Sequence, residues 1–133
     1  MKLHLENADG HYLITGYDNG WVEINRQRFI HNLILLPSQL LSDWDAPNFE
    51  SITSAHIEQI IIFKPDVVLL GTGARHQFIH PKLTLSLTKA GISLECMTTH
   101  AACRTYNILM TEGRNVAAAL LLSSQVPSYK AAT

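Results

Sequence analysis

A mixed α/β domain is the fold this sequence predicts: an N-terminal antiparallel β meander, then α-β-α-β-α-β. Three observations predict it. The first third alternates polar and apolar residues with period two between turn signals. Val67-Val68-Leu69-Leu70 is a continuous apolar run, the pattern of a strand covered on both faces. Beyond it, helical and strand patterns take turns, and two successive strand-helix-strand units imply parallel pairing with right-handed crossovers.

The elements follow in chain order. Leu3 and Leu5 alternate with polar neighbours, and Tyr12-Leu13-Ile14-Thr15 is rich in strand formers. Asp18-Asn19-Gly20 supplies a tight turn, because Asn and Gly tolerate positive φ. Trp21-Val22-Glu23-Ile24 resumes the alternation, Asn25-Arg26-Gln27 turns again, and Phe29 to Leu36 reads as one further strand. Pro37 to Ser51 holds two prolines but also Leu40, Leu41, Trp44 and Phe49, so an ordered loop packed on the core is expected. Thr53 is the N-cap of a helix, with Ile52 and Ile57 at hydrophobic-staple spacing and Ile57, Ile60 and Ile61 on one face. Lys64-Pro65 ends that helix, and the Val67–Leu70 strand follows.

Residues 82–90 carry two patterns. Leu83, Leu85 and Leu87 alternate like a strand. Pro81 suits a first helical position and Gly91 a helix C-terminus, and a parallel crossover needs a connector, so a helix is predicted. Ile92 to Met97 is a strand. Thr98 or Thr99 caps a helix running to about Met110, Gly113 closes it, and Asn115 to Leu122 is the last strand. Residues 1–123 are expected to form one globular domain, and 124–133, polar and proline-containing, a flexible tail.

Composition excludes several function classes. Charged residues make up only 16% of the chain and the net charge is −1, so the basic field that nucleic acid needs is missing. The low charge density leaves surface suited to covering by a protein partner or a second copy of the chain. Cys96 and Cys103 form no C-x-x-C pair, which indicates neither a zinc ribbon nor a redox motif, and reduced thiols fit a cytoplasmic protein. The first residues lack the apolar core of a signal peptide, and no apolar run reaches membrane-span length, so a soluble chain that stays where it is made is expected.

Topology supplies one candidate site. In a parallel layer, ligands collect beyond the carboxyl ends of the strands. Those ends are Leu70-Gly71-Thr72-Gly73-Ala74-Arg75 and Cys96-Met97-Thr98-Thr99, which the crossovers place on one edge. Gly71-Thr72-Gly73 can bring N–H groups to an anion, but it lacks dinucleotide and P-loop spacing and also reads as a plain exit turn. Thr98 and Thr99 open a helix whose free N–H groups attract anions, and they equally read as caps alone. On that helix His100, Arg104, Asn107 and Thr111 form a polar stripe beside Cys103, Tyr106 and Met110. The plain reading is a solvated face next to a buried one; the sharper one has Arg104 meeting Glu95 or an anion. Cys103 would be a nucleophile only with a depressed pKa and a base among His76, His80 and His100. His76 and His80 lie before Pro81, where a helix does not readily pass, and no third ligand accompanies them, so no metal is expected. No cofactor is expected either.

Several segments together resemble a known family. They are Leu70-Gly71-Thr72-Gly73 with Arg75; Gly91-Ile92 with Glu95; Thr99-His100-Ala101-Ala102-Cys103-Arg104-Thr105-Tyr106-Asn107-Ile108-Leu109; and Glu112-Gly113-Arg114 with Ala118-Ala119-Leu120. Their order and spacing resemble the domain shared by mitochondrial complex I assembly factor three and the adipogenesis-associated domain protein, which has many small bacterial relatives. The likeness spans roughly residues 9–122 and is sharpest over 66–120. It implies a three-layer domain with a mixed sheet and no agreed enzymatic activity. Mitochondrial placement is not carried over, because no transit peptide is seen. The matched positions at the strand edge are Gly71, Thr72, Gly73, Glu95, Thr99, Cys103 and Asn107. The resulting expectation is a non-enzymatic binding or assembly-factor-like protein with a protein partner. The alternatives are a small-molecule or anion binder at 71–75 and 98–104, and a cysteine-dependent enzyme.

Overall fold

The computed structural model describes residues 3–5 and 10–122. The strands are β1 (Leu3–Leu5), β2 (Ile14–Asp18), β3 (Trp21–Ile24), β4 (Gln27–Phe29), β5 (Leu33–Leu35) and β6 (Gln39–Leu41). Helix α1 (Ser54–Ile61) precedes β7 (Val67–Gly71), α2 (Leu85–Lys89) precedes β8 (Ser93–Met97), and α3 (Thr99–Thr111) precedes β9 (Val116–Leu120). The expected tail lies outside the described residues.

Six strands form the central sheet in the order β1-β6-β5-β9-β7-β8. β7 runs parallel to both β8 and β9, and the pairings of β5 with β9 and β6, and of β6 with β1, are antiparallel. The mixed sheet and parallel crossovers are those the sequence predicts. β2, β3 and β4 make a separate antiparallel sheet. Its turns differ in chemistry: Gly20 takes φ +85 between β2 and β3, whereas Asn25 and Arg26 both take positive φ between β3 and β4.

Strand periodicity sorts the core into two faces. Val67, Leu69, Val116, Ala118 and Leu120 point to the small sheet and α3; Val68, Leu70, Ala117, Ala119 and Leu121 point to α1, α2 and Trp44. Alanines at three successive positions of β9 keep its side chains short, so layers on both sides approach closely at the middle of the sheet. The three layers are α3 with the small sheet, the central sheet, and α1 with α2.

Two readings of the sequence need correction. Phe29 to Leu36 is not one strand. It breaks at 30–32, where the chain leaves the small sheet for the central one, and Ile30 there is 65% exposed. Asn32 fixes the corner: its side chain accepts the Leu122 N–H at 2.7 Å and donates to the Ala46 carbonyl at 2.7 Å. The segment 37–51 is ordered, as expected, but is more than a loop. It contains β6, buried at Leu40 and Leu41, and a short 3-10 turn at Phe49–Ser51.

The helices follow their capping signals. Thr53 caps α1, its hydroxyl accepting the His56 N–H while His56 Nδ1 accepts the Thr53 N–H at 2.9 Å. The ambiguous 82–90 segment is helical, in a run that begins as a 3-10 turn at Pro81–Thr84 and ends at Gly91 with φ +73. Thr98 is the N-cap of α3, accepting the Ala101 N–H.

Candidate functional site

The carboxyl ends of β7 and β8 finish side by side, so the Gly71-Thr72-Gly73 exit and the start of α3 do meet. They meet in direct contact. The ladder runs one residue past β7, with the Thr72 N–H donating to the Met97 carbonyl at 2.8 Å. The Gly73 N–H donates to Thr99 Oγ1 at 2.9 Å, and the Thr99 N–H returns a bond to the Gly73 carbonyl at 3.0 Å. The same Thr99 hydroxyl donates to the Leu121 carbonyl at 2.7 Å, tying in the end of β9. One buried threonine therefore joins three segments.

Glycine at 71 is explained by this closeness. A Cβ there would lie 3.0 Å from Thr99 Cα and 3.2 Å from Leu120 Cδ2, tighter than packing tolerates. Gly73 has open space around it but takes φ +100, which L side chains rarely adopt. Thr72 is buried, and its hydroxyl donates to the Arg75 carbonyl at 2.6 Å while accepting the Gln77 N–H, which folds the exit loop back on itself.

The N–H groups of Gly73, Thr99 and Ala101 that could have held an anion are thus engaged by the protein itself. Arg75 is exposed on the loop beyond. Arg104 meets neither Glu95 nor the strand ends: its Nη1 donates to the Tyr17 hydroxyl at 3.1 Å on the small sheet, with the His100 ring 5.0 Å from the Tyr17 ring. Asn107 also faces that sheet. Its Oδ1 accepts the Ile14 N–H at 3.0 Å, and its Nδ2 donates to the Ile14 carbonyl at 2.8 Å, as a neighbouring strand would. Three members of the polar stripe on α3 thus reach the small sheet, Asn107 from a half-buried position and Arg104 from an exposed one.

Cys103 is fully buried against that same layer, and burial pushes its thiol up to about 12, with nearby Arg104 lowering it only in part. Such a thiol is protonated at neutral pH and makes no nucleophile. Burial likewise raises the pKa of Tyr106, whose hydroxyl donates to the Tyr12 carbonyl at 2.8 Å. Among the described residues no three His, Cys, Asp or Glu side chains gather to hold a metal ion.

A different feature escaped the sequence reading. A groove of about 750 Å³ lies along the outer side of β8, lined by His76, Phe78, Ile79, Leu87, Ile92 and Cys96 among others, with Glu95 also on its wall. Of the candidate residues, only Glu95 belongs to it. The available signal was in β8 itself: Ser93-Leu94-Glu95-Cys96 is apolar at every second position, unlike Val67–Leu70, which marks an edge strand rather than a central one.

Comparison with known proteins agrees with this architecture. Residues 14–121 match the model of a family described as a protein of unknown function (DUF498/DUF598). The chain is 30% identical over 122 residues to a "13 kDa major membrane protein" of Francisella tularensis subsp. holarctica, covering 91% of this chain and 99% of that protein. It is 30% identical over 123 residues to NADH dehydrogenase [ubiquinone] 1 alpha subcomplex assembly factor 3 of Danio rerio, covering 91% of this chain and 70% of that one. Among solved structures, a crystal structure of a protein from Bordetella parapertussis superposes with a TM-score of 0.82 at 36% identity, over 88% of this chain and all of the other.

Proposed function

The chain belongs to the DUF498/DUF598 family, and from that premise we propose that it works as a non-enzymatic binding protein of the assembly-factor type. The observation that carries this reading is the kinship along nearly the whole chain with proteins named as assembly factors. The site geometry supports it from the other side. Residues that could have done chemistry at the strand ends are spent on internal bonds, and the buried thiol of Cys103 is held protonated. Large apolar side chains stand outward instead, Phe78 and Ile62 among them.

The reading places the protein in the cytoplasm. Free Cys96 and Cys103 support a reducing compartment. No helix among the described residues is long and apolar enough to cross a membrane. The test is affinity capture of the tagged chain from a native bacterial lysate at mild salt, with fractionation of the same cells. The reading expects one polypeptide to co-purify reproducibly at a fixed ratio. No reproducible partner across replicate captures would overturn it.

A further inference from the structure

β8 is an edge of the central sheet, paired with β7 on one side only. The ladder fixes where its remaining groups point. The Ser93 N–H bonds the Asp66 carbonyl, and the Met97 carbonyl accepts the Thr72 N–H, so residues 93, 95 and 97 turn their backbone toward β7. Leu94 and Cys96, between them, turn theirs outward, and no backbone bond among the described residues engages them there. An open edge of this kind is a template for another strand.

Side chains of β8 sort to its two faces. Leu94 and Cys96 lie on the face of α1 and α2, where the Ile79 backbone hydrogen-bonds the Cys96 thiol. The groove opens on this face, with Phe78, 79% exposed, on its wall. Glu95 alternates with them and is exposed. It is the only Lys, Arg, Asp or Glu on β8, and the only one on the groove lining. No ion pair among the described residues engages it. The neighbouring lysines turn elsewhere. In the helical run from Pro81 to Lys89, Lys82 and Lys89 share helical spacing with exposed Leu85, opposite buried Leu87, whereas Thr84 and Thr88 line the groove.

A strand added beside β8 sets the residue opposite Glu95 on the same face as its carboxylate, and the two flanking residues on the groove face. Opposite charges attract across such a pair and like charges repel. The edge therefore selects a cation at that position, with an apolar residue on either side. A second copy of the chain meets it badly: the two-fold register centred on Glu95 puts two carboxylates face to face.

We propose that the outer edge of β8 is the docking site for an extended segment of a partner protein that carries lysine or arginine opposite Glu95, between apolar residues that face the groove at Phe78 and Ile79. The outward groups of Leu94 and Cys96 supply the backbone bonds, the groove the apolar contact, and Glu95 the sign of the charge. The inference rests on the binding role proposed above and names the surface that performs it.

The test uses fluorescein-labelled peptides of about seven residues, long enough to span the five-residue β8. Valine or isoleucine occupies the odd positions, threonine the second and sixth, and lysine the fourth. One matched peptide has glutamate at the fourth position; another is N-methylated at alternate amides. Anisotropy is read with the full chain, and amide exchange is followed by NMR. The lysine peptide is expected to bind saturably below about 1 mM, and the glutamate peptide at least about threefold more weakly. N-methylation abolishes binding, and amide exchange slows at Leu94 and Cys96. Leu94→Pro removes an outward donor and loses both peptides. Glu95→Lys, at an exposed position that leaves folding intact, reverses the preference, so that the glutamate peptide binds more tightly.

No binding at about 1 mM, equal binding of the N-methylated peptide, or slowed exchange only away from β8 overturns the proposal. So does a preference for lysine that survives in Glu95→Lys, or no preference in the unmodified chain. Protection of the Leu94 and Cys96 amides in the protein alone that rises with its concentration also overturns it, because a second copy then occupies the edge. Capture from lysate separates this inference from the role beneath it. If Glu95→Lys retains the partner of the unmodified chain, the docking edge is overturned and the binding role stands. If the unmodified chain captures nothing, the role falls and the docking edge with it.

Discussion

Thr99 ties the exit of β7 to the end of β9 through a single hydroxyl. Its hydroxyl accepts from Gly73 and donates to Leu121 in a buried setting, so removing it strands a donor and an acceptor without water to replace it. Thr99→Val keeps the shape and deletes only the bonds. It is expected to cost about 1–3 kcal/mol, read as a lower urea midpoint with unchanged slope. A midpoint equal to that of the unmodified chain would show that Thr99 does not weld the junction. At this scale the sequence was legible in part. The Thr98-Thr99 pair announced a helix start, but which residue caps and which reaches across to Gly73 depends on the strand beside it. Asn107 shows the same limit. It read as part of a solvated stripe, because its partner Ile14 lies 93 residues away in the chain and no local pattern points there.

Among the elements, α3 stands out by holding two sheets together. Ala102, Cys103, Tyr106 and Met110 bury against the core, while Arg104 and Asn107 reach β2. Asn107 supplies both bonds that a further strand would give to Ile14. Asn107→Ala is therefore expected to speed amide exchange across β2, β3 and β4 well before β7 and β9, because the small sheet loses its polar anchor to the helix while the central sheet does not. Uniform acceleration of both sheets would contradict that division. Element types were legible wherever periodicity and caps agreed, as at Thr53, Val67–Leu70 and Gly91. The break at Ile30–Asn32 was not, because apolar residues run through it and only the sheet switch exposes Ile30. β6 was hidden between Pro37 and Pro47, where proline suggested a loop although Leu40 and Leu41 were already apolar enough to pair.

For the molecule as a whole, two buried acids set the response to alkali. Burial raises the folded pKa of Cys103 from 9.0 to about 12, and that of Tyr106 above its ordinary 10.0. The unfolded chain releases these protons first, so their contribution is intact at neutral pH and is lost as pH rises from about 9 through 12. Stability is expected to fall there with a slope approaching about 1.4 kcal/mol per pH unit for each group. Urea unfolding between about pH 8 and pH 11 measures it, and Cys103→Ala should flatten the curve. A flat profile in the unmodified chain would contradict the burial argument.

The closed junction at the strand ends also bears on the proposed binding role. If the strand ends are sealed by the protein's own bonds, small anions gain nothing from the folded state. The melting temperature of the purified chain against nucleotides, phosphates and carboxylates tests that most directly, since a ligand selective for the native form raises it. The closed junction predicts no shift with any of these classes. A rise of several degrees that disappears in Arg104→Ala would contradict it and restore the strand ends as a small-molecule site.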